Sequence, residues 1–275
     1  MSPSVARGRP LMRWRPGRRR RAQLTRWGSY AVGAAAVGFL LLAIDWARVQ
    51  DAMFDPEIIR DQFPKVVTQG AKNTLIFTAF GFSGGLALGL VLALMRLSDI
   101  GPYRWFATVY IDVLRGLPAL LVLIFIGFGL PIALGTRVPG TYGRGSLALA
   151  IVASAYIAET IRAGIEAVPR GQMEAARSLG MSQATAMRKI VIPQAFRIII
   201  PPMTNELVLL LKDTALISVL GVTADTKELT RFGRDGVNTT ANATPLIVAG
   251  FMYLVLTIPM TRLAAWLEQR ARVSR

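Results

Sequence analysis

Apolar residues in this chain gather into long unbroken runs, not the short periodic stripes of a soluble helix or strand. The runs cover 28–44, 72–95, 105–134, 145–165, 203–222 and 245–267. A helix that crosses a bilayer needs roughly 20 predominantly apolar residues. Five runs fit that length. The third is longer, so its first part, 105–115, is predicted to lie at the interface, with Pro118 kinking the chain or marking the true entry. The pattern predicts an all-α membrane protein, a polytopic transmembrane helical bundle of about six spanning helices.

Polar segments separate the runs at 45–70, 135–144, 166–200 and 223–243. Only 17% of the residues are charged against 53% hydrophobic, too little charge to cover a soluble domain of 275 residues. The net charge of +16 is unevenly spread, since nine arginines and no acid precede the first run. Basic residues flank spanning helices on the cytoplasmic side. That reading is preferred here to nucleic-acid binding, and no nucleic-acid partner is expected.

Residues 1–27, rich in Arg, Pro and Gly, are predicted to be a disordered basic cytoplasmic tail. Residues 28–45 then form an N-terminal transmembrane helix. Its Ala- and Gly-rich core and the lack of a small-residue cleavage site favour a retained helix over a signal peptide. With both termini cytoplasmic, Arg96, Arg104, segment 166–200, Arg270, Arg272 and Arg275 fall inside. The slightly acidic 45–70 and the balanced 223–243 fall outside. The short loop 135–144, with Arg137 and Arg144, runs against the trend.

The chain has no cysteine and no histidine. Disulfides, thiolate metal sites, cysteine nucleophiles and histidine acid–base chemistry are excluded, and no cofactor is implied. None of its lysines, Lys65, Lys72, Lys189, Lys212 and Lys227, stands in the G-x-x-x-x-G-K-[ST] context of a phosphate-binding loop. If ATP drives the protein, another chain must hydrolyse it. Gly81, Gly85 and Gly89 repeat every four residues along the second run, a small-residue face that lets another helix approach closely.

Segment 159–200 reads ETIRAGIEAVPRGQMEAARSLGMSQATAMRKIVIPQAFRIII and lies in the expected cytoplasm. Residues 172–179 are good helix formers. Gly180 suits a left-handed C-terminal cap, Ser182 can cap a second helix over 183–191, and Pro193 is predicted to stop it. Two short helices hinged at a glycine would lie flat on the inner face of the membrane. The bland alternative is an ordinary amphipathic interfacial pair.

Glu174-Ala175-Ala176, three residues, Gly180, nine residues, then Ile190-Val191-Ile192-Pro193 resembles the EAA loop of bacterial ATP-binding-cassette (ABC) importer permeases. Ile192 stands where that pattern most often has Leu. The stretches Val168–Gln172, Leu211–Leu216 and Arg115–Pro118 resemble its polar amino-acid branch, which serves substrates such as histidine, glutamine, glutamate and arginine. The resemblance covers about 70–268; the tail and first helix lie outside it. It implies a type I permease fold over 70–268, with cytoplasmic loop 166–200 docking on an ATPase subunit and passing closure to the spans. Glu174, Ala175, Ala176, Arg177, Gly180, Met181, Ile190 and Pro193 would carry that coupling. It further implies an ABC ATPase dimer, an extracytoplasmic solute-binding protein, a second permease copy or paralogue, an amino-acid substrate and a bacterial inner-membrane setting.

The fifth run holds Lys212 and Asp213, with Glu206 two turns earlier on roughly the same face, and Thr214 next. Each charge costs on the order of 3 kcal/mol at the bilayer centre unless paired or wetted. Two readings stand: a translocation pathway for charged or zwitterionic amino acids, or a structural pair locking the fifth helix. Glu159 with Arg162, and Asp112 with Arg115, are spaced as structural i,i+3 pairs. The rival functions are an ion-coupled secondary transporter of small polar solutes, which leaves the EAA-like loop unexplained, and a membrane enzyme, for which the acids are too scattered.

Overall fold

The computed structural model describes residues 17–135, 142–221 and 223–273. Residues 1–16 of the expected tail, Arg137, Val222 and Arg275 lie outside them. Every regular element among the described residues is helical. The chain divides into two units, Met1–Asp51 and Ala52–Arg275.

The first unit holds α1 (Gly17–Ala43) and most of α2 (Trp46–Met53). α1 starts well before the apolar run, so positions 17–27, expected to be disordered, are helical. Arginine is a good helix former, and hydropathy alone does not register it.

In the second unit, the Asp55 carboxylate accepts the N–H groups of Glu57 and Ile58 at 2.9 and 3.2 Å and starts α3 (Pro56–Gln62). A π-helical turn, Val66–Ala71, leads into α4 (Lys72–Arg96). α5 (Gly101–Gly116) ends before Pro118. The chain then turns by 109° into α6 (Ala119–Ile124), a π turn and α7 (Leu130–Leu134). α8 (Gly143–Glu166), α9 (Arg170–Ser178) and α10 (Gln183–Ala186) follow. A π turn, Met187–Val191, joins α10 to α11 (Ile192–Asp213). A 3₁₀ segment, Thr214–Leu220, precedes α12 (Leu229–Thr240) and α13 (Thr244–Val273).

Among the described residues four stretches are long and apolar enough to cross a membrane: Arg26–Ala43, Val66–Arg96, Gly143–Glu166 and Thr244–Arg270. The bent pair Gly101–Gly116 and Ala119–Leu134 makes a fifth. α11 is not among them, because Arg197, Glu206, Lys212 and Asp213 dilute it. Its 22 residues are nevertheless about 33 Å long, enough to span, which brings the bundle to about six.

α4 and α8 form the centre of the core, which buries Phe77, Leu92, Leu149, Ile157 and Ile217. Glycine permits that proximity. A Cβ at Gly89 would lie 2.8 Å from Ile157 Cγ2 and 2.9 Å from the Ser154 carbonyl oxygen, and one at Gly85 2.9 Å from Ala153 Cβ. Gly89→Val should cost about 1–3 kcal/mol by overpacking. Thermal unfolding in detergent would show it, and an unshifted transition would contradict the packing account.

At the opposite end of α4 from Arg96, Asn73 Nδ2 donates to the carbonyls of Asp225 and Lys227 at 2.8 and 3.0 Å. Tyr142 donates to Asn73 Oδ1 at 2.8 Å. Beside them Glu228, fully buried, caps α12. Its carboxyl oxygens accept the Thr230 and Arg231 N–H groups at 2.6 Å each and the Tyr253 hydroxyl at 3.1 Å. Burial pushes this carboxyl up from its ordinary 4.5 to about 7, against the pull of those N–H donors. The folded state therefore binds the proton more tightly than the unfolded chain. The stability this brings is complete below pH 4.5 and is lost as pH rises through about 7. The wild-type melting temperature should fall over that window, whereas Glu228→Gln should flatten the dependence. A wild-type profile identical to that of Glu228→Gln would refute the assignment.

Candidate functional site

The segment between α8 and α11 builds its bend from main-chain hydrogen bonds. α9 ends at Ser178 with Leu179 as its C-cap, and Gly180 takes φ +83°. The Gly180 N–H then donates to the Arg177 carbonyl at 3.0 Å and the Met181 N–H to that of Ala176 at 3.1 Å. This nested pair closes a helix whose next residue is left-handed. A Cβ at Gly180 would meet nothing within 4 Å, so backbone conformation rather than space selects glycine. Ser182 Oγ accepts the Thr185 N–H at 3.3 Å and starts α10.

Pro193 does not stop the second helix, contrary to the sequence expectation. The preceding π turn absorbs it: the Ile192 N–H bonds to the Met187 carbonyl, five residues back, and Pro193 occupies the first turn of α11, where a missing N–H costs little. The hinged element is therefore one short helix, α9, followed by helix that continues into the fifth span.

Val168, Val191 and Ala195 pack with Ile165, Met173 and Ile199 into a small core beneath α9. Ala176 is turned into the protein, whereas Glu174, Ala175, Arg177 and Gly180 face outward. Pro193 is exposed, and Met181 and Ile190 are half-buried. Glu174 and Arg177 form no ion pair among the described residues. Leu179 is 86% exposed at the tip of the bend. Sequence reasoning passed over it, because an apolar residue beside a capping glycine reads as buried until the turn's direction is known.

The charges of α11 lie further along the chain. Glu206 and Asp213 are half-buried, Lys212 is on the surface of the single chain, and Thr214 is buried. Thr214 donates to the Leu211 carbonyl at 2.6 Å, where α-helix tightens to 3₁₀. Lys212 and Asp213 form no ion pair with each other or with any described residue. Both Asp213 and Arg115 act electrostatically on Glu206.

Arg115 is not paired with Asp112. Its guanidinium lies 5.8 Å from the Tyr156 ring centroid, and it acts on Glu159 as well as Glu206. Glu159 itself is taken up by Arg96 at 2.8 Å and by Arg162, which also holds Glu166. Arg96, Arg115 and Tyr156 join this charged group from three different helices, a juxtaposition that no spacing along the chain signals. The arrangement offers carboxylates for an ammonium group and a guanidinium for a carboxylate.

The profile of a family described as the inner membrane component of binding-protein-dependent transport systems matches residues 85–273. The probable glutamine ABC transporter permease GlnM of Bacillus subtilis is 38% identical over 217 residues, 79% of this chain and 98% of the relative. The arginine transport permease ArtQ of the same organism is 36% identical over 206 residues, covering 75% of this chain and 92% of ArtQ. Among solved structures, an amino acid ABC transporter crystallised with histidines superposes with a TM-score of 0.71 at 39% identity, over 79% of this chain and 99% of that one. The methionine transporter MetNI shares the fold at 21% identity, with a TM-score of 0.60, over 76% of this chain and 97% of its own.

Proposed function

Because this chain belongs to the family of binding-protein-dependent transport system inner membrane components, we propose that it carries polar or charged amino acids into the cytoplasm as the permease of an ABC importer. It is a transport subunit and not an enzyme; ATP hydrolysis falls to a separate partner. The observation that carries the reading is the continuity of the bend at Gly180, through α10 and its π turn, with α11. A movement imposed on exposed α9 crosses the bend at 179–182 and from Gln183 on reaches Glu206 and Asp213 through continuous helical backbone.

In this reading an ATPase dimer engages Glu174, Ala175, Arg177 and Leu179, and a solute-binding protein delivers substrate from outside. A second permease copy or paralogue completes the pathway. Glu206, Asp213 and Arg115 face the zwitterion, with Lys212 and Thr214 beside them. The lock reading of Lys212 with Asp213 loses support, since the two make no ion pair. The test is purification from the native host: an ATPase subunit should co-purify, and an amino acid with the binding protein should stimulate ATP hydrolysis. Absence of the ATPase subunit from every intact preparation would count against the assignment.

The reading places 166–200 and both termini in the cytoplasm, and 46–69 and 224–243 outside. The native chain has no cysteine, so single cysteines report cleanly. Ala175→Cys should resist a membrane-impermeant thiol reagent in intact cells and react in inverted vesicles. Labelling in intact cells would reverse the topology.

A further inference from the structure

The first unit has features that transport coupling does not use. α1 carries arginines at positions 18, 19, 20, 21 and 26, with no acid in its first turn. Successive helix positions are 100° apart, so positions 18–21 encircle the axis and leave no apolar sector. Immediately above them, Trp27 and Tyr30 are 72% and 67% exposed and pack edge to face at 6.2 Å. Exposed Trp and Tyr at the end of an apolar helix mark the headgroup level of a bilayer. From Trp27 to Ala43 the helix rises about 24 Å. Trp46, also exposed, then ties its indole N–H to the Leu41 carbonyl at 2.8 Å. No residue in the apolar window Arg26–Ala43 is buried within the chain, which leaves its surface open to lipid.

We infer that the arginine collar of α1 binds the phosphate headgroups of anionic phospholipids at the cytoplasmic surface, making the first unit a lipid-selective anchor. Orientation of a helix needs only an excess of positive charge on one side. Helical order carried through these positions places them directly next to the aromatic belt, on its polar side. Arginine forms bidentate bonds with phosphate, and each basic residue near an anionic surface favours binding about fivefold. A headgroup meeting one arginine should therefore be preferred about fivefold over a zwitterionic one.

The experiment uses the full-length chain with Trp27 as its single tryptophan, reconstituted with brominated phosphatidylglycerol or brominated phosphatidylcholine. Quenching of Trp27 should report a roughly fivefold preference for the anionic lipid that weakens as salt is raised. Arg18→Gln, Arg19→Gln, Arg20→Gln and Arg21→Gln combined should abolish the preference, and the corresponding Lys replacements should retain most of it. Equal quenching by the two lipids would overturn the inference, as would a preference that survives the Gln replacements. If the Gln protein fails to insert, the salt titration of the otherwise wild-type chain decides: a preference unchanged by salt overturns the inference. Equal quenching together with nucleic acid released from the purified protein would assign the collar to a polynucleotide instead.

Discussion

A Gly180→Val protein should reach the membrane at normal abundance and import at no more than about a tenth of the normal rate. With φ at +83°, position 180 is left-handed, and an ordinary L residue there costs about 1–2 kcal/mol, more if β-branched. Nothing crowds the added side chain, so the cost falls on the turn that aims α9 and not on the core. A shift of 1.4 kcal/mol is tenfold in the population of the correctly formed bend. Leu179→Asp tests the same surface from the contact side. If Leu179 seats in the ATPase subunit, losing its burial removes about 1.5–3 kcal/mol, a loss of roughly ten- to a hundredfold in ATPase retention. Uptake assays paired with ATPase retention on washed membranes separate the two: Gly180→Val keeps folding and loses transfer, and Leu179→Asp loses the partner. Normal uptake by both would remove the coupling role from this loop.

Asp213→Asn and Glu206→Gln should leave abundance in the membrane nearly unchanged and lower uptake tenfold or more. Neither carboxylate is in an ion pair among the described residues, so neutralising one strands no paired charge there. A structural lock behaves in the opposite way: breaking a buried pair costs about 3–5 kcal/mol, and removing the second partner restores folding. The double variant Lys212→Gln with Asp213→Asn should therefore not recover uptake. Arg115→Gln should weaken uptake too, if its guanidinium meets the substrate carboxylate. Low abundance of Asp213→Asn, with abundance and uptake both restored in the double variant, would show that the charges hold the helix in place instead.

The elements most legible in the sequence are those written in contiguous residues. Uninterrupted apolar runs expose α4, α8 and α13, and glycines at four-residue spacing expose the face α4 turns to α8, because both signals are local. The bend at Gly180 and the cap at Ser182 are legible for the same reason. Pro193 misleads because proline chemistry reads as a stop unless a π turn upstream has already shifted the hydrogen-bond register, and that shift has no residue signature. The start of α1 is missed since hydropathy stops at the arginines while helix propensity does not. Asp112 and Arg115 sit at pairing distance along the helix, yet Arg115 is drawn toward Tyr156, Glu159 and Glu206 on other helices. Only three-dimensional placement identifies it as a member of the charged group.

The measurement that bears most directly on the central claim is uptake of labelled amino acids into proteoliposomes holding this chain with its ATPase subunit and solute-binding protein. Two drives are compared: ATP on the ATPase side without an ion gradient, and a sodium or proton gradient without ATP. Importer permease function predicts amino-acid accumulation with ATP alone, cut about tenfold or more by Gly180→Val and indifferent to the gradient. Accumulation driven by an ion gradient in the absence of ATP, with Gly180→Val fully active, would contradict it.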